Sequence, residues 1–456
     1  PTISIADFDN MFERCYSLNG DNLNSWGPQI ANVTSMEEMF INCYNFNRRL
    51  DNWDVSNVTS LKKTFKNAYS FDQTLNTWNV SNVLWLSDTF YGCRQLNQSF
   101  SEWRPLNCTT TSRMFFDCPN FNGRLNDWSD SLDNLSDVSQ MFEYCSNFNQ
   151  PLYSWDVSNV TNFSRMFRFC GKYNQTINTW DVSSGTNFYG MFEYCSRFNT
   201  PLNTWNVGNA TNLGAMFSQC RNFNQNLDSW GANLLNVTST QQMFNTCSTF
   251  NNGEAPGLSG APLNSWDVST IETFQQMFRR CTSFNQSLSD WQPSAVTTFN
   301  DTFLECSIFN QPLDSWGAYL GNVTTTKGMF DRCKSFNQPL NSWNLISLED
   351  MTAMFARTDV FNQPLDNWGP KLVNVTTTSN LFDAAREFNQ PLDNWGAYLG
   401  NVTSFKSMFS NADAFNNGEA AGLSGASLNS WDVSSVENMD TMFARALSFN
   451  QPIDQW

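Results

Sequence analysis

Seventeen of the eighteen tryptophans in this 456-residue chain recur inside one phrase, from Trp26, Trp53 and Trp78 through to Trp395, Trp431 and Trp456. The steps between them are mostly 25 residues, with 27 occurring four times and 36 twice. A fixed period in this range is the mark of a solenoid, in which each unit cannot bury its own apolar face and stacks on its neighbour. Length alone suggests about three domains, but a repeat array runs this long as one body, so a single continuous solenoid over residues 1–456 is expected.

The extra residues are placed regularly. The two added in a 27-residue step always follow the tryptophan, as in WGAYLGNVT at Trp316 against WDVSNVT at Trp155, and are expected to form a surface loop. The 36-residue steps add a glycine-rich insertion, at 251–262 and 416–427, with the composition of turns. Within one unit, NVTSMEEMFINCYNFNRRLDNWDVS from Asn32, the apolar residues Val33, Met36, Met39, Phe40, Cys43 and Phe46 recur at three and four residues. That spacing predicts a short helix, and the following Leu50, Trp53 and Val55 predict a short strand. The fold class expected is an α/β repeat solenoid of about seventeen coils, leucine-rich-repeat-like, each coil a helix plus a strand in a parallel sheet.

Because the units align with one another, columns can be compared inside the chain. The phenylalanine of the MF pair, from Phe12, Phe40 and Phe65 to Phe409 and Phe443, and the tryptophans read as stacked core. The asparagine of FNQPL (Asn47, Asn97, Asn149, Asn199, Asn310, Asn389) reads as an amide ladder satisfying a repeated turn. Asp72 replaces it once and, unable to donate, is expected to be a weak point. Twelve of the thirteen cysteines share a column with Ala68, Thr358, Ala385, Ala412 and Ala446, which asks only for a small buried side chain. Cys108 stands where other coils carry a core valine. No spacing suits zinc; cysteines on adjacent coils come within reach of a disulfide, and nothing in the sequence shows pairing.

Composition limits the function. There is no histidine, hence no common general base or metal ligand. A net charge of −17 opposes phosphate backbones and anionic lipid, and no apolar run reaches the roughly 18 residues of a membrane helix. Carboxylate pairs such as Glu37 with Glu38 and Glu349 with Asp350 are adjacent rather than opposed, as sugar hydrolysis would need. Asp54, Asp156, Asp181, Asp267 and Asp432 follow the tryptophan, but Asn79, Asn206 and Gly231 replace them elsewhere and no calcium loop motif occurs. No catalytic residue, metal or cofactor is expected. The chain opens on Pro1 and stops at Trp456 in mid-phrase, with no terminal caps, as a mature or excised segment would.

The pattern VTxMxxMFxxCxxFNQPLxxWDVSN, as in Val160 to Cys170 with the phrases around Trp155 and Trp180, resembles the BspA-like leucine-rich-repeat surface proteins, and most closely their Phe/Asn/Trp-rich subtype. The resemblance covers essentially the whole chain. It implies an extracellular, non-enzymatic solenoid on a cell surface, used in attachment or surface structure, while the stackable coils and large surface favour assembly, with protein partners or further copies, into a filament, sheath or coat. The rival reading is a receptor-like module that binds glycan or protein along one face.

Two sets of residues are singled out for contact with the outside. Sixteen N-glycosylation sequons occur, ten at the repeating NVT position. The candidates for N-linked glycans are Asn32, Asn57, Asn79, Asn107, Asn134, Asn159, Asn162, Asn209, Asn236, Asn300, Asn322, Asn374 and Asn401, while Asn97, Asn174 and Asn285 belong to the amide ladder and are expected to be the least accessible. Aromatic residues in otherwise polar columns form the second set: Tyr144, Phe169 and Tyr194 before the cysteine, Tyr16, Tyr44 and Tyr69 after it, and the stray Trp85. They are either an interface strip or an extension of the core edge.

Overall fold

The structure is a computed structural model describing residues 6–18, 22–129 and 132–456. It divides into two compact units, the first holding the described residues up to Asn212 with Met216–Phe223, the second Leu213–Ala215 with Asn224–Trp456. Both are stacks of coils.

The expected helix is absent; the described residues contain no α-helix. In its place runs a chain of tight turns whose amides alternate in direction. Met36, Glu38, Phe40 and Asn42 donate to carbonyls of the next coil at 2.7–3.1 Å, while Met39, Ile41 and Cys43 donate three residues back within their own coil. Glu38 and Asn42 lie at φ 56° and 61°, the positive value that a type II turn needs at its third residue. The same pair recurs four residues apart along the chain, as in Lys63 and Asn67, Gln276 and Arg280, and Ala353 and Arg357. Inward residues therefore recur every three or four positions, as in a helix, while half of the amides are left to bind the adjacent coil.

The expected strand at Leu50–Val55 is also replaced by turns, Trp53 donating to Leu50 at 3.0 Å and Val58 to Val55 at 2.9 Å. Parallel pairing falls instead on one residue per coil just after the NVT threonine. In the first unit it runs Asp7, Ser35, Ser60, Trp85, Thr110, Asp137, Asn162, Asn187, Asn212; in the second it runs from Ser239 and Thr273 to Ser404 and Asn438. A sheet one residue wide shows no alternation for a sequence to display.

At the coils that carry the added residues, the turn containing the tryptophan is a 3₁₀ helix rather than a plain loop. Leu23–Gln29, Asn126–Trp128, Asp228–Asn233, Asp314–Asn322, Asp366–Lys371 and Asp393–Tyr398 fall at the six coils that carry the two extra residues. Their last aliphatic side chain, Ile30, Leu132, Leu234, Leu320, Leu372 or Leu399, is buried. Gly369 shows why glycine follows the tryptophan: a Cβ there would stand 2.0 Å from the Asn394 carbonyl of the next coil.

Side chains then lock coil to coil. Phe40 stacks on Phe46 of its own coil at 4.3 Å and on Phe65 of the next at 5.4 Å, and Trp53 stacks on Trp78 at 6.3 Å. In the second unit Phe330 meets Phe336 at 4.1 Å and Phe355 at 5.8 Å. Each indole also donates backwards: Trp53 Nε1 to Leu23 O at 2.8 Å, Trp180 to Leu152 at 2.8 Å, Trp368 to Leu340 at 2.9 Å. A buried N–H left alone costs about 1–3 kcal/mol, so this column is polar bonding as well as core.

The asparagine ladder works through its oxygen. Asn149 N donates to Asn122 Oδ1, Asn174 N to Asn149 Oδ1 and Asn337 N to Asn310 Oδ1, at 2.9–3.0 Å. Asp72 is accordingly not a weak rung, since its Oδ1 accepts from Asn97 N at 2.8 Å and from Gln98 Nε2 at 2.9 Å. We expect Asn310→Asp to cost under about 1 kcal/mol in denaturant unfolding, and Asn310→Leu, which strands the Asn337 amide, about 1–3 kcal/mol. Tyr173 puts a hydroxyl into the phenylalanine column, fully buried and without a hydrogen-bond partner. Tyr173→Phe should therefore raise stability by about 1 kcal/mol, read as a higher melting temperature.

Candidate functional site

The NVT sequons have an architectural reason to recur. Asn57 Nδ2 donates to Ala31 O at 2.7 Å, Asn159 to Asp133 O at 2.8 Å and Asn401 to Val373 O at 2.7 Å. The sequon hydroxyl does the same, Thr59 Oγ1 donating to Thr34 O at 3.0 Å and Thr403 Oγ1 to Thr376 O at 3.1 Å. All ten asparagines of this column (32, 57, 107, 134, 159, 209, 236, 322, 374 and 401) are exposed; Asn79 is exposed too, and Asn162 and Asn300 are half-buried. Asn97 and Asn174, expected to be shielded, are exposed, whereas Asn285 is half-buried. At Asn97 and Asn174 the ladder takes the side-chain oxygen, which accepts from Asn122 N and Asn199 N at 2.9 Å, whereas Asn285 also donates through Nδ2 to Gly257 O at 3.0 Å.

The aromatic candidates form two stacks in the first unit. Tyr16, Tyr44 and Tyr69 stack at 5.1 and 4.8 Å, with the Arg94 guanidinium 4.9 Å over Tyr69. Tyr144, Phe169 and Tyr194 stack at 4.5 and 4.3 Å. Two residues missed in the sequence extend this second stack: Phe116 meets Tyr144 edge-on at 5.5 Å, and Tyr91 stacks on Phe116 at 4.6 Å. The signal was there, in TFYGC and MFFDC, one position ahead of the column that drew notice. Trp85 stands outside both, 43% exposed in the bridge column between Ser60 and Thr110.

Tyr144, Phe169 and Tyr194 lie at φ 65°, 62° and 64°. This is the left-handed region, which costs an ordinary side chain about 1–2 kcal/mol and suits glycine or asparagine. Every described coil keeps this conformation at the same position, with Asn42, Asn67 and Gly92 in some and Asp117, Gln219, Thr246, Arg280 and Glu305 in others, so it belongs to the repeat. What sets these three coils apart is the ring: Tyr144 and Tyr194 are each 39% exposed and Phe169 is half-buried. Charged pairs flank the strip: Asp88 takes Lys66 and Arg113, each at 3.0 Å, and Arg168 spans Glu143 at 2.7 Å and Glu193 at 2.5 Å.

The remaining polar candidates do not converge. Glu37 accepts from Ser60 Oγ at 2.6 Å and Glu38 from Lys63 Nζ at 2.7 Å, each serving a separate coil contact. Asp54, Asp156, Asp181, Asp267 and Asp432 each accept the amide of the serine two residues on, at 3.0–3.1 Å. These carboxylates close their own turns. Hydrogen bonds from Ser183 and Ser434 hold Asp181 and Asp432 below the usual carboxylate range. Among the described residues no cluster of three or more His, Cys, Asp or Glu is placed to hold a metal, and no helix is long and apolar enough to cross a membrane. Shallow grooves recur beside the tryptophan turns, of about 430 Å³ at Asn76–Asn79 with Arg104 and about 490 Å³ at Asn178–Asp181 with Asn206. They are products of the repeat.

The family model described as "Mycoplasma protein of unknown function, DUF285" matches residues 6–128, 136–256, 231–320, 253–368, 319–422 and 419–456. The chain belongs to the DUF285 family. Successive matches tile it as its coils do. No curated protein matches the sequence. Among solved structures, a leucine-rich cell surface protein from Faecalibacterium prausnitzii is similar at 14% identity, over 66% of this chain and 75% of its own, with a TM-score of 0.27. An internalin from Listeria monocytogenes is similar at 10% identity, over 70% and 83%, with a TM-score of 0.18.

The cysteine column proves to be a thiol ladder. All thirteen cysteines are free. Cys145 Sγ donates to Phe115 O at 2.9 Å, Cys170 to Phe142 O at 3.0 Å and Cys306 to Phe278 O at 2.9 Å, a role that Ala385 and Ala412 forgo. Burial pushes the Cys43 thiol up to about 11 and Cys108 to about 12. Because the thiolate is the reactive form, Ellman's reagent at pH 8 should titrate Cys15, the one exposed thiol, and release the other twelve only on denaturation.

Proposed function

We propose that the protein is a non-enzymatic repeat scaffold of the BspA-like, leucine-rich-repeat kind, displayed outside the cell, whose long face mediates adhesion or assembly into a filament, sheath or coat. The observation that carries this reading is the exposed aromatic strip. Three successive coils place Tyr144, Phe169 and Tyr194 side by side at a turn position that other coils give mostly to polar residues such as Asn42, Asp117, Gln219 and Arg280. Partly exposed aromatic residues grouped in a polar column mark an interface, and aromatic residues are enriched at protein interfaces.

The rings also bear on the chemistry of the partner. Stacked at 4.3–4.5 Å, they occupy one another's faces and turn their edges outward, whereas a sugar platform needs an open ring face. This favours a protein partner over a glycan, and ranks the receptor-like reading second. Exposed sequons at Asn32, Asn57, Asn107 and their equivalents are placed to carry N-linked glycans, since a substituted amide keeps one N–H for the coil beneath. Burial protects twelve of the thirteen thiols from oxidation outside the cell, Cys15 being the exposed one.

The test is electron microscopy of the natively isolated protein over a concentration series, beside the triple variant Tyr144→Asn, Phe169→Asn, Tyr194→Asn. We expect ordered fibres or sheets from the wild type, and their loss in the triple variant with its melting temperature within a few degrees of wild type, because relief of about 1 kcal/mol of strain per residue offsets the lost stacking. Single particles at every concentration would move the reading to a monomeric adhesin or receptor.

A further inference from the structure

The two glycine-rich insertions of the second unit are one object built twice. Asn251, Asn252, Asn416 and Asn417 are buried. The Asn251 amide donates to the carbonyls of Ala255 at 2.6 Å and Leu258 at 2.9 Å, and Asn416 donates to Ala420 at 2.7 Å and Leu423 at 3.0 Å. From the following coil, Gln286 reaches the Leu258 carbonyl at 2.8 Å and Gln451 the Leu423 carbonyl at 2.9 Å. Asn252 and Asn417 close the loop bases on Ala261 and Ala426 at 2.8 and 3.0 Å. What these clamps hold out into solvent is leucine: Leu258 and Leu423 are each 54% exposed.

One exposed leucine is ordinary on any surface. Two in matching clamps are not, because the loops agree at ten of their twelve residues while the coil that follows each has changed its outer face. There Thr273, Gln275, Gln276 and Arg279 correspond to Asn438, Asp440, Thr441 and Ala444. The hydrogen bonds account for the asparagines and glutamines, and φ values of 80–91° at Gly253, Gly257, Gly418 and Gly422 account for the glycines. Nothing inside the unit accounts for the leucine side chain.

We propose that Leu258 and Leu423 are paired docking knobs that seat on a second copy of this chain. The inference rests on the assembly reading above and names its contact. Counted on Trp266, Trp291, Trp316, Trp343, Trp368, Trp395 and Trp431, the loops stand six coils apart, roughly 29 Å at about 4.8 Å per coil. They are related by the operation that carries each coil onto the next, so a partner must offer two equivalent sockets related in the same way. A two-fold dimer of another fold relates its sockets by rotation. A coil array offers them at every multiple of its own pitch, so a further copy is in register by construction. Knobs clamped in advance lose little freedom on docking.

Sedimentation velocity of the intact protein over a concentration series, at low and high salt, tests this. The variants are Leu258→Asp, Leu423→Asp, the double Asp variant and a double Met variant, each checked for wild-type circular dichroism and melting. Wild type should self-associate, more strongly at high salt where the net charge of −17 is screened. The double Asp variant should associate at least about tenfold more weakly, as loss of hot-spot contacts does, each single variant should fall between, and the double Met variant should match wild type. A double Asp variant that assembles as tightly as wild type overturns the knobs and leaves assembly standing. Wild type that stays monomeric at every concentration and both salts overturns both.

Discussion

Each coil leaves about half of its turn amides unsatisfied until another coil arrives. Met36, Glu38, Phe40 and Asn42 have no partner in their own coil, and their hydrogen bonds go to Ser60, Lys62, Thr64 and Lys66. A buried amide without a partner costs more than most single contacts return, so a coil is stable only as a member of a stack. The side-chain columns follow from this. Once the backbone forces each coil onto its neighbour in register, like side chains must lie on like, and columns that tolerate self-stacking survive: flat rings, a small thiol, and an amide oxygen facing an amide N–H.

Much of this was legible in the sequence because period and column identity are direct signatures of stacking. Trp53 over Trp78, Phe40 over Phe65 and the small-residue column at Cys43 lie where the repeat puts them. The local structure was not. Spacing of three and four residues at Met36, Met39, Phe40 and Cys43 is shared by a helix and by consecutive turns, and only backbone preference separates them. Asn42, Asn67, Gly92 and Asp117 tolerate positive φ, but Thr246, Arg280 and Glu305 share their column, so the clue was diluted. The expected strand failed for a different reason, since pairing through a single residue per coil leaves no alternation to read. The two-residue additions looked like surface loops because the step length varies at that one point, yet the glycine after Trp316, Trp368 or Trp395 records close approach to the next coil, and the aliphatic residue beyond it returns to the core.

The candidate site was legible where it departs from the columns. Tyr144, Phe169 and Tyr194 stood out as aromatic residues in an otherwise polar column, and the structure shows them stacked on one another at 4.5 and 4.3 Å. Tyr91 and Phe116 escaped because each sits one position away, in a column that varies in any case. The sequons mislead in the opposite direction. Their number follows from Asn57 and Thr59 bonding to the coil beneath, so abundance says little about modification, and exposure is the more useful guide.

The hydrogen bonds between coils do not all point one way. The turn amides of Met36, Glu38, Phe40 and Asn42 donate forward along the array, while Thr59 N, Asp72 N, Trp53 Nε1, Cys43 Sγ and Asn57 Nδ2 donate backward. In an α-helix every peptide dipole points in one direction, and a charge-like potential collects at the two ends. Here the two sets of dipoles oppose each other within every coil. Adding coils therefore builds up little electrical polarity along the axis, and the number of repeats can change in evolution without placing a field on the terminal coils that a neighbour would have to neutralise.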